Sequence, residues 1–427
     1  MNKLTAKGSA RQEISSSVAY FLMSRENTIF DVAIIGGGIA GTGIARDAAL
    51  RGLNVILFEK NTFGSGTSSK SSKLIHGGIR YLELSWLALI QLNFPEAWKN
   101  FCFVLSALKE SAVLERIAPD LVLPIELVLP IYKRAGQSVL AIYFGTLLYG
   151  LLSYLSGNRR FPRILPSKST VLKLIPNLNP KDLVGGVIIW DHCVNDKQLV
   201  EKTMASAQNA GTIGLEQTFV KSYQFNEDEK IYTLAVEQNN QTRVYQSRIL
   251  IDASGPWVDK IRDSAHEKTE EFIVPVAGSH ITLKQFTDYS VILQADDKRI
   301  FFVINLGSSA RVGTTERIHK DPDTVKPTEQ EVEYLLCALE RYFPQIHFDS
   351  GDIISKDAGI RPLAKPKEAL ALHSISREHE IRIGPTGVVH VLGVKLTDHR
   401  RAAEDVVNQI AKELKLNVKS ETNRIPL

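Results

Sequence analysis

The sequence predicts a doubly wound α/β fold with an inserted antiparallel β-rich unit, and three observations carry that prediction. First, a β-branched run, Val32 to Ile35, stops at Gly36, Gly37, Gly38 and Gly41 in the spacing G-x-G-x-x-G; an apolar-faced stretch from Ile39 to Ala49 and a strand from Asn54 to Phe58 follow. Second, a strand ending at Ile251 and a late strand, Val388 to Leu392, both run into small or glycine residues, as strand ends do at a switch point. Third, Phe272 to Ile304 and Ser309 to Thr315 read as successive strands, the mark of a separate antiparallel layer.

In the opening unit each glycine has its own task. Gly36 permits the tight turn, Gly38 lets backbone approach a pyrophosphate, and Gly41 lets the helix pack close to the sheet. The pyrophosphate then sits on unpaired N–H groups at the positive end of the helix. Glu59 closes the second strand, followed by Lys60, and a carboxylate there accepts both hydroxyls of an adenosine ribose. The whole unit predicts a dinucleotide site.

Length and composition bound the rest. A chain of 427 residues exceeds one simple core, and 44% hydrophobic with 23% charged residues is ordinary for a globular protein. A net charge of +4 gives no footing for nucleic acid. Cys102, Cys193 and Cys337 are far apart with no C-x-x-C, so neither a disulfide framework nor a metal site is expected. Residues 1–28 read as a tail: the apolar patch Ala19 to Met23 is too short for an export signal.

Along the chain, Phe63 to Glu83 is polar and glycine-rich, and its hydroxyls at Thr67, Ser68, Ser69 and Ser72 suit a diphosphate. Glu110 to Pro130 reads as a helix and then an extended run. Ala135 to Asn158 holds no charged residue and passes a length test for crossing a membrane, yet parts of one site precede and follow it. It reads as a buried or interfacial helix. Arg159, Arg160, Arg163 and Lys168 beyond it form either a patch for anionic lipid or a solvated loop. Gly186 to Trp190 is read as a strand, Asp196 to Ala210 as a helix, and Thr328 to Tyr342 as another. Asp352 to Pro362 is assigned to the nucleotide unit, and Thr397 to Leu414 to a closing helix with Ala403, Val406, Val407 and Ile410 on one face.

The blocks TSSKSSKLIHGGIRYLE (Thr67 to Glu83), IDASGPWVDK (Ile251 to Lys260), GSHI (Gly278 to Ile281), DKRIFFVI (Asp297 to Ile304), VGTTE (Val312 to Glu316) and GIRPL (Gly359 to Leu363) occur in this order. In them the sequence resembles the FAD-dependent glycerol-3-phosphate dehydrogenases, from Ile29 to Leu414. The resemblance implies an FAD-binding domain of the glutathione-reductase/D-amino-acid-oxidase type in three pieces, 29–119, 185–264 and 352–415. It further implies a substrate subdomain at 120–184 and 265–351, with 416–427 as a tail. FAD would be held by Gly36, Gly38, Gly41, Glu59, Lys60, Thr67, Ser68, Ser69 and Ser72. Leu74, His76, Ala253, Gly255, Gly393, Leu396 and Thr397 would complete its site. The last helix would aim its N-terminus at the flavin.

Oxidising a phosphorylated secondary alcohol needs a cationic clamp, a base and a flavin face. By the resemblance Arg80, Tyr81, Arg361 and Lys395 hold substrate. His280 is the leading base, with His76 as competitor and Glu316 and Glu83 as weaker options. The implied reaction takes sn-glycerol 3-phosphate to dihydroxyacetone phosphate and passes electrons to a membrane quinone, or to oxygen. Another small anionic substrate, a hydroxy acid or amino acid, and a catalytically impaired flavin-binding protein are the alternatives. A cytoplasmic chain, attached or not to the inner face of the membrane, fits.

Two departures stand out. Where the family reads closer to GGKLTTYR, this sequence has LGVKLTDHR, with Val394, Asp398 and His399 as the changed residues. A carboxylate at 398 pointing at the flavin would oppose negative charge on the reduced ring. The sequence ends at Leu427, before the additional helical domain of the better-known members.

Overall fold

We describe residues 28–133, 138–366 and 378–427 from a computed structural model. The tail expected over residues 1–28 therefore lies almost wholly outside the described residues. The chain opens with β1 (Ile29–Ile35), α1 (Ile39–Leu50) and β2 (Val55–Phe58), then β3 (Leu74–Ile75), α2 (Ile79–Ile90), α3 (Phe94–Ile117), β4 (Val122–Tyr132) and α4 (Val139–Ser153). Next come β5 (Arg163–Leu165), α5 (Lys168–Leu174), β6 (Leu183–Val194), α6 (Asp196–Asn209) and the strands β7 (Ile213–Leu215), β8 (Thr218–Asn226), β9 (Ile231–Gln238) and β10 (Gln241–Asp252). After α7 (Val258–Ser264) run β11 (Ile273–Lys284), β12 (Ser290–Gln294), β13 (Ile300–Asn305), β14 (Ser309–Gly313), β15 (Arg317–Ile318) and α8 (Glu329–Tyr342). The last elements are β16 (Ile353–Ala364), β17 (Glu380–Ile383), β18 (Val389–Leu392) and α9 (His399–Glu413).

The first sheet runs β17-β18-β10-β1-β2-β7, parallel from β18 to β7, with β9 and β8 added antiparallel beside β10. Strand alternation sends Val32, Ile34, Val55 and Leu57 to one face, where they pack with Ile44, Ala48, Val406 and Ile410 of α1 and α9. Ala33, Ile35, Ile56 and Phe58 point to the other face and meet Tyr223, Leu234 and Val236 of the β8–β9 ribbon. Helices therefore cover one side and a meander the other, the layering of a doubly wound nucleotide fold.

The second sheet runs β15-β11-β14-β13-β12-β4-β6-β3, antiparallel except between β12 and β4, with β16 on β11 and β5 on β6. Val128 and Ile188 face the α8 side with Leu335 and Leu339, while Leu127, Val187 and Ile189 face α2, α3 and α4 through Leu82, Leu108 and Tyr149. Each of these aliphatic side chains contributes about 1.5–3 kcal/mol by leaving water.

Three sequence expectations are corrected. Gly186 to Trp190 belongs to the second sheet, because β6 pairs with β4 from Val122↔Val194 to Tyr132↔Leu183. A Cβ at Gly185 would lie 2.2 Å from the Tyr143 hydroxyl, so glycine there admits α4. Asp352 to Pro362 likewise joins the second sheet through β11, although its Gly359 to Pro362 end returns to the nucleotide side. Finally, the polar stretch ends earlier than expected: α2 starts at Ile79, behind Gly78 at φ 76°.

Candidate active site

The sheets meet at one cavity of about 850 Å3 that runs from the turn after β1 to the start of α9. At the first end Gly36 has φ 105°, and a Cβ on it would sit 2.6 Å from the Ala253 carbonyl oxygen. A Cβ at Gly41 would lie 1.9 Å from the Gly36 carbonyl oxygen, so Gly41 serves close packing and does not line the cavity. Gly38 is the N-cap of α1 and no side chain of its own caps the helix; Ser68 Oγ accepts the Ile39 N–H at 3.0 Å. The remaining first-turn amides are what a diphosphate requires.

Glu59 accepts the Gly37 N–H at 2.7 Å and the Asn61 N–H at 2.7 Å, and burial raises its pKa. Each oxygen keeps a second lone pair for a hydroxyl. Lys60 lines the same end but gives its Nζ to Asp323 at 2.9 Å. Thr67 donates to the Ile360 carbonyl at 2.8 Å, fastening the serine-rich loop to β16. Ser69 turns inward to the Ser65 and Gly66 carbonyls and does not reach the cavity, against expectation. Leu74, His76, Ala253, Gly255 and Gly393 line it. His76 is tied by its own loop: its N–H donates to Thr397 Oγ1 at 3.2 Å and its Nδ1 accepts the Gly78 N–H at 2.9 Å.

The middle of the cavity carries the candidate chemistry. His280 on β11 is buried, with Nε2 2.8 Å from Ser72 Oγ and Nδ1 buried without a hydrogen-bond partner. Burial, reinforced by Arg311, Arg361 and Lys73, drives its pKa well below the ordinary value, so the ring is neutral. Gly313, opposite it across the β11–β14 pair, leaves room: a Cβ there would stand 2.3 Å from the ring. Arg361 on β16 is held by Glu316 at 3.3 Å and Thr314 at 2.9 Å. Glu83, by contrast, is exposed and off the cavity.

Lys395 lies over the rings of Tyr81 (4.8 Å) and Phe103 (4.0 Å), a cation held by two π faces. Arg80 also lines the cavity and makes no ionic pair among the described residues. The cradle of free helix amides, glycine turn and long cavity fits FAD, with the cationic side chains at its far end.

Several lining residues escaped the sequence reading. Ile300 and Phe302 line the cavity from β13 and Arg299 from just before it, and the alternation of Ile300 and Phe302 within DKRIFFVI was a usable sign. Phe103 and Lys99 of α3 and His379 before β17 sit in no distinctive pattern. The altered residues near α9 are accounted for locally. His399 is buried and donates to the Leu396 carbonyl at 2.8 Å, its pKa lowered by burial to about 4. Asp398 accepts the Lys395 N–H at 2.9 Å and faces His379.

Comparison with known proteins agrees with this geometry. A family model described as FAD dependent oxidoreductase matches residues 31–397. The chain is 31% identical to a glycerol-3-phosphate dehydrogenase of Synechocystis over 91% of its own length and 71% of that protein's. It is also 31% identical to an aerobic glycerol-3-phosphate dehydrogenase of Staphylococcus saprophyticus, over 90% and 68%. Among solved structures, the glycerol-3-phosphate dehydrogenase of Bacillus halodurans complexed with FAD superposes with a TM-score of 0.74 at 26% identity, over 95% of this chain and 68% of that one. The L-alpha-glycerophosphate oxidase of Mycoplasma pneumoniae, at 16% identity and TM-score 0.64 over 93% and 99%, shares the fold. Family model, relatives and fold together place the chain in the FAD-dependent glycerol-3-phosphate dehydrogenase family, with FAD as its cofactor.

Proposed function

We propose that the protein oxidises sn-glycerol 3-phosphate to dihydroxyacetone phosphate and delivers the electrons to a quinone in the membrane. The observation that supports this most is a neutral buried His280 in one cavity with Arg80, Arg361 and Lys395, beyond a dinucleotide cradle. Arg361 presents a planar fork suited to phosphate oxygens, oriented by Glu316 and Thr314. Lys395 and Arg80 add charge. His280 receives the hydroxyl proton as the carbinol carbon gives up its hydride and becomes the ketone carbon. Bound FAD supplies the two-electron acceptor. The phosphate dianion offsets the repulsion of Arg361 on His280, which raises the basicity of the imidazole when substrate is present.

The membrane part of this reading rests on a belt of apolar side chains. Trp86, Ile90, Phe94, Trp98, Leu140, Phe144 and Leu155 are exposed on α2, α3, α4 and the turn after α4, and these three helices pack on one another. Val139–Asn158 is long and apolar enough to cross a bilayer by length and composition. Its Tyr149 is fully buried and bonded to Gly77 and Asp191, so the helix is part of the fold and would lie along a membrane surface. Of the basic residues expected there, Arg160 and Arg163 are paired with Glu115 and Glu126, which leaves Arg159 and Lys168 for anionic headgroups.

Adding glycerol 3-phosphate to the oxygen-free yellow protein tests the substrate. Rapid bleaching of the flavin band is expected. Bleaching only by a hydroxy acid or amino acid would move the assignment to that substrate, and no bleaching by any of them would count against catalysis.

A further inference from the structure

Helix α9 begins beside the cavity with a carboxylate as its N-cap, and Asp398 does not cap the helix with its own side chain. Left charged and alone, a carboxylate in that place would cancel much of the positive potential that the first-turn amides offer, an effect confined to the end of the helix. It is not alone. His379 sets Nδ1 3.3 Å from Asp398 Oδ2 and Nε2 3.2 Å from Asp405 Oδ2, about two helical turns further along α9. A neutral imidazole has a single N–H, so it serves only one of two carboxylates; both contacts are hydrogen bonds only in the imidazolium form. The surrounding charges do not alter this: Arg401 lies 3.8 Å from Asp405, Lys99 lies 3.7 Å from Glu378, and Glu380 is bound by Arg382 at 2.6 Å.

We propose that His379 is a positioning residue for the cavity-facing end of α9: as an imidazolium clamped between Asp398 and Asp405, it neutralises Asp398 and preserves the positive field of the helix toward the flavin. The inference uses FAD in the cavity and does not depend on which substrate is oxidised. Desolvation opposes the charge on His379, yet the two carboxylates prevail and raise its pKa to about 9. Lys395, whose N–H Asp398 accepts, is held in the same turn, so the clamp also fixes the backbone that carries that cation.

The test is the two-electron midpoint potential of FAD bound to the full chain, measured for wild type, His379→Gln, Asp398→Asn and the double variant. His379→Gln, which leaves Asp398 unneutralised, is expected to lower the potential by about 30 mV or more, a tenfold change in the two-electron equilibrium. The double variant is expected to return close to wild type. Equal potentials in wild type and His379→Gln, or a double variant whose potential stays as low as that of His379→Gln, would overturn the proposal. A second measurement needs no flavin and no variant: an NMR titration of the His379 ring in the FAD-free protein. Protonation at both nitrogens at pH 7.5 is expected, and a single-nitrogen, neutral ring at that pH would overturn it. Failure of the wild-type chain to take up FAD would count against the flavin cradle and would leave the NMR result to decide the state of His379.

Discussion

Arg361 and Asp191 illustrate two different uses of a charge. Arg361 is partly exposed, lines the cavity, and is oriented by Glu316 and Thr314. Arg361→Ala is expected to raise KM and lower kcat/KM by about a hundredfold, from the loss of charge-assisted hydrogen bonds worth roughly 1.5–3 kcal/mol, while flavin content stays unchanged. Steady-state kinetics beside an absorbance ratio checks both halves. Asp191 is fully buried, with the Tyr149 hydroxyl donating to it, and desolvation raises its pKa to about 8. The folded state thus holds a proton that the unfolded chain releases near pH 4. The linkage sign follows: stability from this group is full below pH 4 and is lost as pH rises through about 8. Asp191→Asn should therefore gain stability relative to wild type between pH 6 and pH 9 in denaturant titrations; a difference independent of pH would contradict the buried proton.

At the scale of elements, the belt on α2, α3 and α4 makes its own prediction. Replacing Trp98, Leu140 and Leu155, which are 67%, 80% and 69% exposed, with serine should abolish sedimentation with anionic vesicles and leave the melting temperature within a few degrees. Arg159→Ser should weaken it less, by about 1 kcal/mol for one charge near the surface. Unchanged sedimentation in the triple variant would remove the membrane part of the proposal. The same elements mark the limit of what a sequence reveals. The β1–α1–β2 unit was legible because its signals are local: the glycine spacing, the helical stripe and Glu59 lie within one supersecondary unit. The partners of β6 and β16 were not, since pairings such as Pro275↔Pro362 join residues far apart in the chain and alternation alone fits either sheet. His379 gave no local sign at all, because its meaning comes from two carboxylates on another element.

For the whole molecule, the segment after α9 matters more than a tail would. Arg46 of α1 donates to the carbonyls of Thr422 (3.3 Å) and Ile425 (2.6 Å), Arg116 to that of Asn423 (3.0 Å), and the Leu427 N–H to that of Ile117 (2.7 Å). Buried Arg400 meets Glu110 bidentately at 2.7 Å and also Thr422 at 3.1 Å. Deleting residues 420–427 would strip partners from buried charges, and a loss of about 3–5 kcal/mol is expected, seen as an earlier denaturant midpoint.

The two sheets also borrow from the chain by turns. The nucleotide sheet draws on residues 29–58, 213–252 and 380–392, and the second sheet on the lengths between them. A nascent polypeptide leaving the ribosome therefore holds most of its nucleotide strands well before Val389–Leu392 can dock beside Ile251 and Asp252. The prosthetic group finds a closed berth only after Val389–Leu392 has left the ribosome and docked, so its uptake waits on the last strand of that sheet.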